Sequence, residues 1–182
     1  NDKGVGGDSG GVGSGYDILL DMKPDFGVDA LAGLNVWVGG SRIQQDLEAG
    51  LSKKNTDDKQ HGIAGATYAY GPVTVGYQRS IEMTGLEAAT TTEYYQNDAF
   101  GISFNINDDL SISYGEMEST KHMTNAVGNN KRITTAESIQ LAYSMGGMSI
   151  KIAETDVDDA TYANGGTASD FEATTVALSL AF

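Results

Sequence analysis

A chain of 182 residues with 24 glycines, two prolines and no cysteine has the composition of one β-rich domain without disulfide bonds. Its net charge of -14 argues against a nucleic-acid partner, because binding phosphates requires a concentrated basic surface and only 11 residues are Lys or Arg. No apolar run approaches the roughly 18 residues of a transmembrane helix, which excludes a helical membrane protein but not membrane-spanning strands of about 9 to 11 residues.

The N-terminal part contains a loop and two predicted strands. Residues 1–15 are rich in glycine and aspartate and lack the basic start and apolar core of a signal peptide. A weak strand is predicted over residues 16–23, before a turn near Pro24, and a stronger one over residues 33–44. We treat residues 1–182 as a single domain.

Three hairpins of similar design follow. They cover residues 61–83 around Gly71-Pro72, residues 95–118 around a turn at 107–109, and residues 135–157 around Gly146-Gly147. Apolar side chains alternate strictly with polar or small ones, as in Phe100, Ile102 and Phe104. A last strand over residues 171–182 brings the predicted total to nine.

The connections between hairpins are longer than the turns within them. They cover roughly residues 45–60, 84–94, 119–134 and 158–170 and are rich in Asp, Asn, Thr, Lys and Gly. All the short turns therefore lie at one end of the strands and all the long loops at the other. A soluble sandwich has no physical reason for this asymmetry, which is typical of membrane barrels.

The C-terminal run carries a family resemblance. Val176, Leu178, Leu180 and Phe182 alternate up to a terminal aromatic residue, and this pattern resembles the assembly signal of outer-membrane β-barrel proteins. With its glycine-rich strands and acidic loops, the chain resembles the C-terminal half of alphaproteobacterial general porins.

The resemblance implies an antiparallel transmembrane β-barrel of sixteen strands, with about nine in this chain. It further implies a homotrimer in the cell outer membrane, in contact with the lipid bilayer and lipopolysaccharide and inserted by the barrel assembly machinery. Its function would be passive diffusion of ions and small hydrophilic solutes. The loop that narrows such pores comes from the N-terminal half, so we expect this chain to be the C-terminal part of a longer barrel.

Strand parity predicts which residues line water if the apolar side chains face lipid. The predicted pore-lining residues are Asp17, Asp21, Lys23, Asn35, Gln78, Asn105, Ser111, Ser113, Gln140 and Lys151. Ordinary solvated strand positions are the alternative for each of them. Aromatic residues are expected at both membrane interfaces, with Tyr68, Tyr70, Phe104, Tyr143 and Phe182 near the turns and Tyr94 and Phe100 towards the loops. Parity turns Trp37 inward, away from lipid.

Acidic residues are concentrated in the predicted loops. Their summed charge predicts a mild preference for cations at the pore mouth. The segment 155–166 contains Asp156, Asp158 and Asp159, whose oxygens could hold Ca²⁺, but the spacing and terminal Glu of an EF-hand are missing. A solvated loop is the favoured interpretation, and no cofactor is predicted.

Other functions find less support in the sequence. Catalysis lacks residues, because His61 and His122 are placed in unrelated loops and Ser41 and Ser119 lack a GxSxG context. A soluble β-rich binding or adhesion module would have no reason to end on an outward-facing apolar strand. A complete eight-stranded barrel from residue 33, with residues 1–32 as a lead, would be underfilled by a lumen of Ala, Ser, Gly and Thr.

Overall fold

The computed structural model describes residues 12–24, 27–45, 57–86, 91–124, 131–162 and 170–180. Within these ranges the chain forms nine strands, namely β1 (Val12–Met22), β2 (Leu34–Gln45), β3 (Lys59–Tyr70), β4 (Val73–Met83), β5 (Thr92–Asn105), β6 (Leu110–Met123), β7 (Lys131–Met145), β8 (Met148–Asp158) and β9 (Phe171–Leu180). The helical segment described is a 3₁₀ turn at Asp29–Leu31. No helix in these ranges is long and apolar enough to cross a membrane.

The strands form one antiparallel sheet in which each strand pairs with the next along the chain. The predicted all-β fold of nine antiparallel strands is confirmed. The sheet is open, with β1 and β9 as its two edges. Closure into a barrel is therefore not part of the described structure. Because strands alternate in direction, β1 and β9 run the same way.

Tight turns join the strands within each predicted hairpin. Gly71 and Gly146 adopt positive φ angles of 57° and 58°, which a two-residue hairpin turn favours and glycine adopts without strain. In the β5–β6 turn, the side-chain oxygen of Asn107 accepts the backbone N–H groups of Asp109 and Leu110, each at 2.9 Å. Local turn chemistry thus fixes the hairpin register.

Several predicted boundaries were wrong. β1 begins at Val12, so residues 12–15 belong to a strand and not to the predicted N-terminal loop. Pairing of β1 with β2 also contradicts an eight-stranded sheet with residues 1–32 as a lead. β6 continues to Met123 and β7 starts at Lys131, which leaves a much shorter connection than the predicted loop 119–134.

The register assigns each strand residue to one of two faces, because directly opposed residues point to the same side of a sheet. One face carries the even-numbered residues of β1, β2, β3, β5, β6, β8 and β9 and the odd-numbered residues of β4 and β7, and we call it the apolar face. We call polar face the remaining strand residues. The alternation predicted from the sequence therefore extends across all nine strands.

Nothing in the described ranges covers the apolar face. Twenty-four large hydrophobic side chains are exposed, and nineteen of them belong to this face. The one large hydrophobic side chain buried in the described part of the chain is Val157, on the polar face. A soluble sandwich would bury one face of each sheet against the other sheet, and the described strands form a single layer.

Candidate functional site

The polar face collects the predicted pore-lining residues. Nine of the ten lie on it, namely Asp17, Asp21, Asn35, Gln78, Asn105, Ser111, Ser113, Gln140 and Lys151. The tenth, Lys23, directly follows β1 and is exposed. The structure thus places this set together on one side of the sheet. That the face lines a channel stays a prediction.

The indole of Trp37 lies on the polar face, as parity predicted. Its cross-strand partner is Gly65, and a Cβ atom added there would be 2.5 Å from the Cζ2 atom of Trp37. Glycine at residue 65 therefore leaves the space that the indole occupies. The sequence indicated which face carries Trp37, but only the register identifies its partner.

The loop-proximal part of the polar face carries a hydrogen-bonded row. The Ser119 hydroxyl donates to Oδ1 of Asn97 at 2.5 Å, and Nδ2 of Asn97 donates to the Ser80 hydroxyl at 3.2 Å. Beside this row lies a groove of about 400 Å³, lined among others by Asp17, Ser41, His61, Glu82 and Asn97. Sequence reasoning missed this row, since its members come from three separate strands.

Both histidines lie in strands, so their predicted loop positions were wrong. His61 is opposite Ser41 on β2 and Glu82 on β4. A hydrolase would need a hydrogen bond between nucleophile and base, and none joins these three side chains in the described part of the chain. His122 stacks on Tyr94, with ring centroids 4.1 Å apart.

The apolar face has a polar upper edge. We call boundary residues the first non-aromatic polar side chains met on this face from the turns towards the loops, which are Arg42, Gln60, Arg79, Asp98, Glu116, Glu137, Glu154 and Thr174 on β2 to β9. The residues between them and the turns form what we call the apolar band. Below its boundary residue each strand carries only apolar, aromatic or glycine side chains on this face.

The boundary runs diagonally across the sheet. We call register row a set of residues that oppose one another directly from strand to strand. The register row that contains Thr174, the boundary residue of β9, reaches β2 at Leu34. The boundary residue of β2, Arg42, lies eight residues further towards the loops. At about 3.4 Å per residue and about 4.8 Å between strands, this is a descent of roughly 27 Å over roughly 34 Å. The boundary therefore makes an angle of about 40° with the hydrogen-bonded rows.

Aromatic side chains gather at both edges of the apolar band. Tyr77, Phe100 and Tyr114 lie directly below the boundary residues of β4, β5 and β6. The Tyr77 hydroxyl donates to the carboxylate of Asp98, beyond the edge. Tyr68, Tyr70, Phe104 and Tyr143 lie near the turn ends of their strands, as predicted, and Phe100 and Tyr94 lie further towards the loops, as predicted. Phe182 lies outside the described residues.

Charged and polar side chains become frequent on this face above the boundary. Arg79 and Asp98 form an ion pair at 2.6 Å on facing positions of β4 and β5. Further along the sheet one register row carries only negative charge, because Glu116, Glu137, Asp156 and Glu172 follow one another across β6 to β9. Like charges directly opposite each other are destabilising. The loop-proximal half of this face is therefore suited to water and not to hydrocarbon.

A second ion pair closes the base of the β2–β3 loop. Arg42 Nε lies 2.7 Å from the Asp58 carboxylate, which also accepts the N–H of Gln45 at 3.2 Å. The Gln45 N–H and the Arg42 guanidinium lower the pKa of Asp58 below its usual value of 3.8. In the proposed Ca²⁺ segment, the Asp159 N–H donates to Asp170 at 2.8 Å. No group of three metal ligands occurs among the described residues, and 163–169 lie outside them.

The resemblance to porins rests on the residue pattern alone. Val176, Leu178 and Leu180 of the predicted assembly signal lie on the apolar face of β9 and are each more than half exposed. No family model, curated protein or solved structure matches the chain. Its function is therefore inferred from the geometry of the two faces.

Proposed function

We propose that this sheet is part of the wall of a porin-type β-barrel in the bacterial outer membrane, a water-filled channel for passive diffusion of ions and small hydrophilic solutes. The apolar band faces lipid and the polar face lines water. The observation that carries this proposal is the uncovered apolar face with its diagonal polar edge.

The size of the uncovered face favours a lipid environment over water. Burying one fully exposed large apolar side chain is worth about 1.5 to 3 kcal/mol, and because these nineteen are each only about half exposed, covering them is worth roughly 15 to 30 kcal/mol. Folded domains are stable by only about 5 to 15 kcal/mol. A protein that left this face in water would forgo more free energy than its net stability, whereas a bilayer covers the whole band at once.

The slope of the boundary supports a barrel in particular. Strands of membrane barrels are tilted by about 35 to 45°, so a level membrane surface crosses neighbouring strands at successively different residues. The angle of about 40° derived from the register of β2 to β9 and ideal strand spacings agrees with that tilt. In a soluble protein the edge of an apolar surface has no reason to follow such a slope. The aromatic residues along both edges support the same orientation.

The open edges indicate what the assembly requires. Lipid offers no partner to the N–H and C=O groups of an unpaired strand, so in a bilayer β1 and β9 would be continued by further strands. Sixteen strands per barrel and a homotrimer, inserted by the barrel assembly machinery among lipid and lipopolysaccharide, are the arrangement we propose. We propose no catalytic role, and a mild preference for cations follows from the net charge of -14.

Cysteine variants test the orientation directly, because residues 1–182 contain no cysteine that would compete for the label. Gln140→Cys and Leu141→Cys are neighbours on β7 that point to opposite faces. In phospholipid vesicles we expect a water-soluble maleimide to label Gln140→Cys and to leave Leu141→Cys unlabelled until the protein is denatured. Equal labelling of both, or a compact monomer that dissolves without detergent, would overturn the membrane assignment.

Conductance tests the channel itself. The complete protein, including the strands proposed to continue β1 and β9, should give stepwise conductance in planar bilayers after purification in detergent, with a reversal potential that indicates cation preference under a salt gradient. Labelling as expected without any conductance would leave a membrane sheet but reject the channel. A reversal potential of the opposite sign would reject only the cation preference.

A further inference from the structure

The chain that follows β8 turns back over the polar face. Asp159 and Tyr162 both adopt left-handed backbone conformations, with φ angles of 52° and 57°. The N–H of Tyr162 donates to the carbonyl oxygen of Asp159 at 2.7 Å, which closes a tight turn. We call residues 159–162 the Tyr162 turn. Positive φ angles at two non-glycine residues within four positions are uncommon and need support from surrounding contacts.

The side chain of Tyr162 reaches far across the sheet. Its hydroxyl lies 2.7 Å from Oγ of Ser119 on β6, and its ring centroid is 5.8 Å from that of Tyr95 on β5. Nζ of Lys121 lies 5.7 Å from the same ring, within the range of a cation–π contact. From β8 to β5 is three strand spacings, or about 14 Å. The turn therefore spans β7 and β6 on the polar side.

Buried hydroxyl groups hold the Tyr162 turn in place. Thr134 Oγ1 donates to the carbonyl oxygen of Asp159 at 2.7 Å. Thr134 and Ser119 are only 9% and 5% exposed, on a face whose other described residues are mostly half-buried. Ser119 is in turn fixed by Asn97. The turn is thus anchored at its first residue and at its last, through two different strands.

We propose that the Tyr162 turn is a constriction that limits the size of the solutes passing this channel, and this inference rests on the proposed function. A phenol ring laid over the polar face occupies cross-section that the small side chains of the wall leave open. Lys121 places a positive charge at the same depth. The narrowed part should therefore weaken the cation preference that the acidic loops create. Pore diameter and lining charge are the quantities that set selectivity in such channels.

The test compares single-channel conductance in planar bilayers for the complete protein and its variants. Tyr162→Ala removes the ring and should raise conductance about 1.5-fold or more. Tyr162→Phe keeps the ring but loses the hydrogen bond to Ser119, so its conductance should lie between those of the natural protein and Tyr162→Ala. Tyr70→Ala makes the same change on the apolar face, where Tyr70 is 74% exposed, and should leave conductance unchanged. Swelling of liposomes in sugars of increasing size should show the largest gain of Tyr162→Ala with the largest sugars.

Two further variants protect the test from a folding artefact. Thr134→Val removes the hydroxyl that holds Asp159 and should raise conductance less than Tyr162→Ala. Lys121→Gln keeps the turn and should move the reversal potential towards stronger cation preference. If the natural protein conducts and neither Tyr162→Ala nor Thr134→Val changes conductance or sugar size dependence, the constriction is wrong while the channel stands. Absence of conductance in the natural protein would reject both.

Discussion

The turn-proximal and loop-proximal halves of the sheet differ in how strongly their two faces contrast. Near the turns one face is apolar without interruption and the other is mostly polar or small, as on β7, where Leu141 and Gln140 are neighbours; Trp37 and Leu19 are the large exceptions. Near the loops both faces carry charge, with Glu137 on one side and Arg132 on the other. Alternation is therefore strict only where the two faces meet different environments. The line between the halves is the diagonal boundary, which we propose is the membrane surface.

The largest expected effect comes from a charge placed on either side of this boundary in one strand. Leu141 and Ile133 share β7 and the apolar face and are 41% and 38% exposed. Leu141→Lys should lower the free energy of unfolding in phospholipid vesicles by about 2 to 4 kcal/mol, and Ile133→Lys by about 0 to 1 kcal/mol. Urea titration of both variants checks this. Equal losses would mean that the boundary does not separate lipid from water.

A second pair of variants tests the slope of the boundary. Ala64 on β3 and Thr135 on β7 belong to one register row, yet Ala64 lies below the boundary and Thr135 above it. Ala64→Lys should cost about 2 kcal/mol and Thr135→Lys less than about 1 kcal/mol. Urea titration in the same vesicles measures both losses of unfolding free energy. Similar losses for the two variants would indicate that the boundary runs parallel to the hydrogen-bonded rows, which a barrel with tilted strands cannot have.

The sequence predicts the structure of the turn-proximal half better than that of the loop-proximal half. Strict alternation and glycine or asparagine turns predict the hairpins, the two faces and the inward Trp37, because these depend on contacts close in the chain. Strand ends such as Met123 lie where neither face is apolar, so no period marks them. The slope of the boundary and the contact of Tyr162 with Ser119 depend on register and on residues 43 positions apart, which a single sequence does not indicate.

A smaller effect on stability is expected where Trp37 lies opposite its cross-strand partner Gly65 on the polar face. Gly65→Ala brings a Cβ atom to 2.5 Å from the Trp37 ring and 2.8 Å from the Tyr77 carbonyl oxygen. Overpacking of this kind costs about 1 to 3 kcal/mol; the Trp37 ring can shift, whereas the Tyr77 carbonyl oxygen belongs to the backbone and yields less easily. Gly101→Ala is the control, since its nearest atom would be at 3.8 Å. Trp37 is the single tryptophan, so its fluorescence should change in Gly65→Ala alone.

The smallest effect is expected at the exposed base of the β2–β3 loop. The folded pKa of Asp58 is lowered, so its contribution to stability is present above 3.8 and is lost as the pH falls through the folded value. Hydrogen exchange of the Gln45 N–H, corrected for its intrinsic pH dependence, should therefore show less protection at low pH than at neutral pH. Asp58→Asn should show the reduced protection both at low pH and at neutral pH. A protection factor in the natural protein that does not change with pH would mean that the Asp58 carboxylate does not hold the loop base.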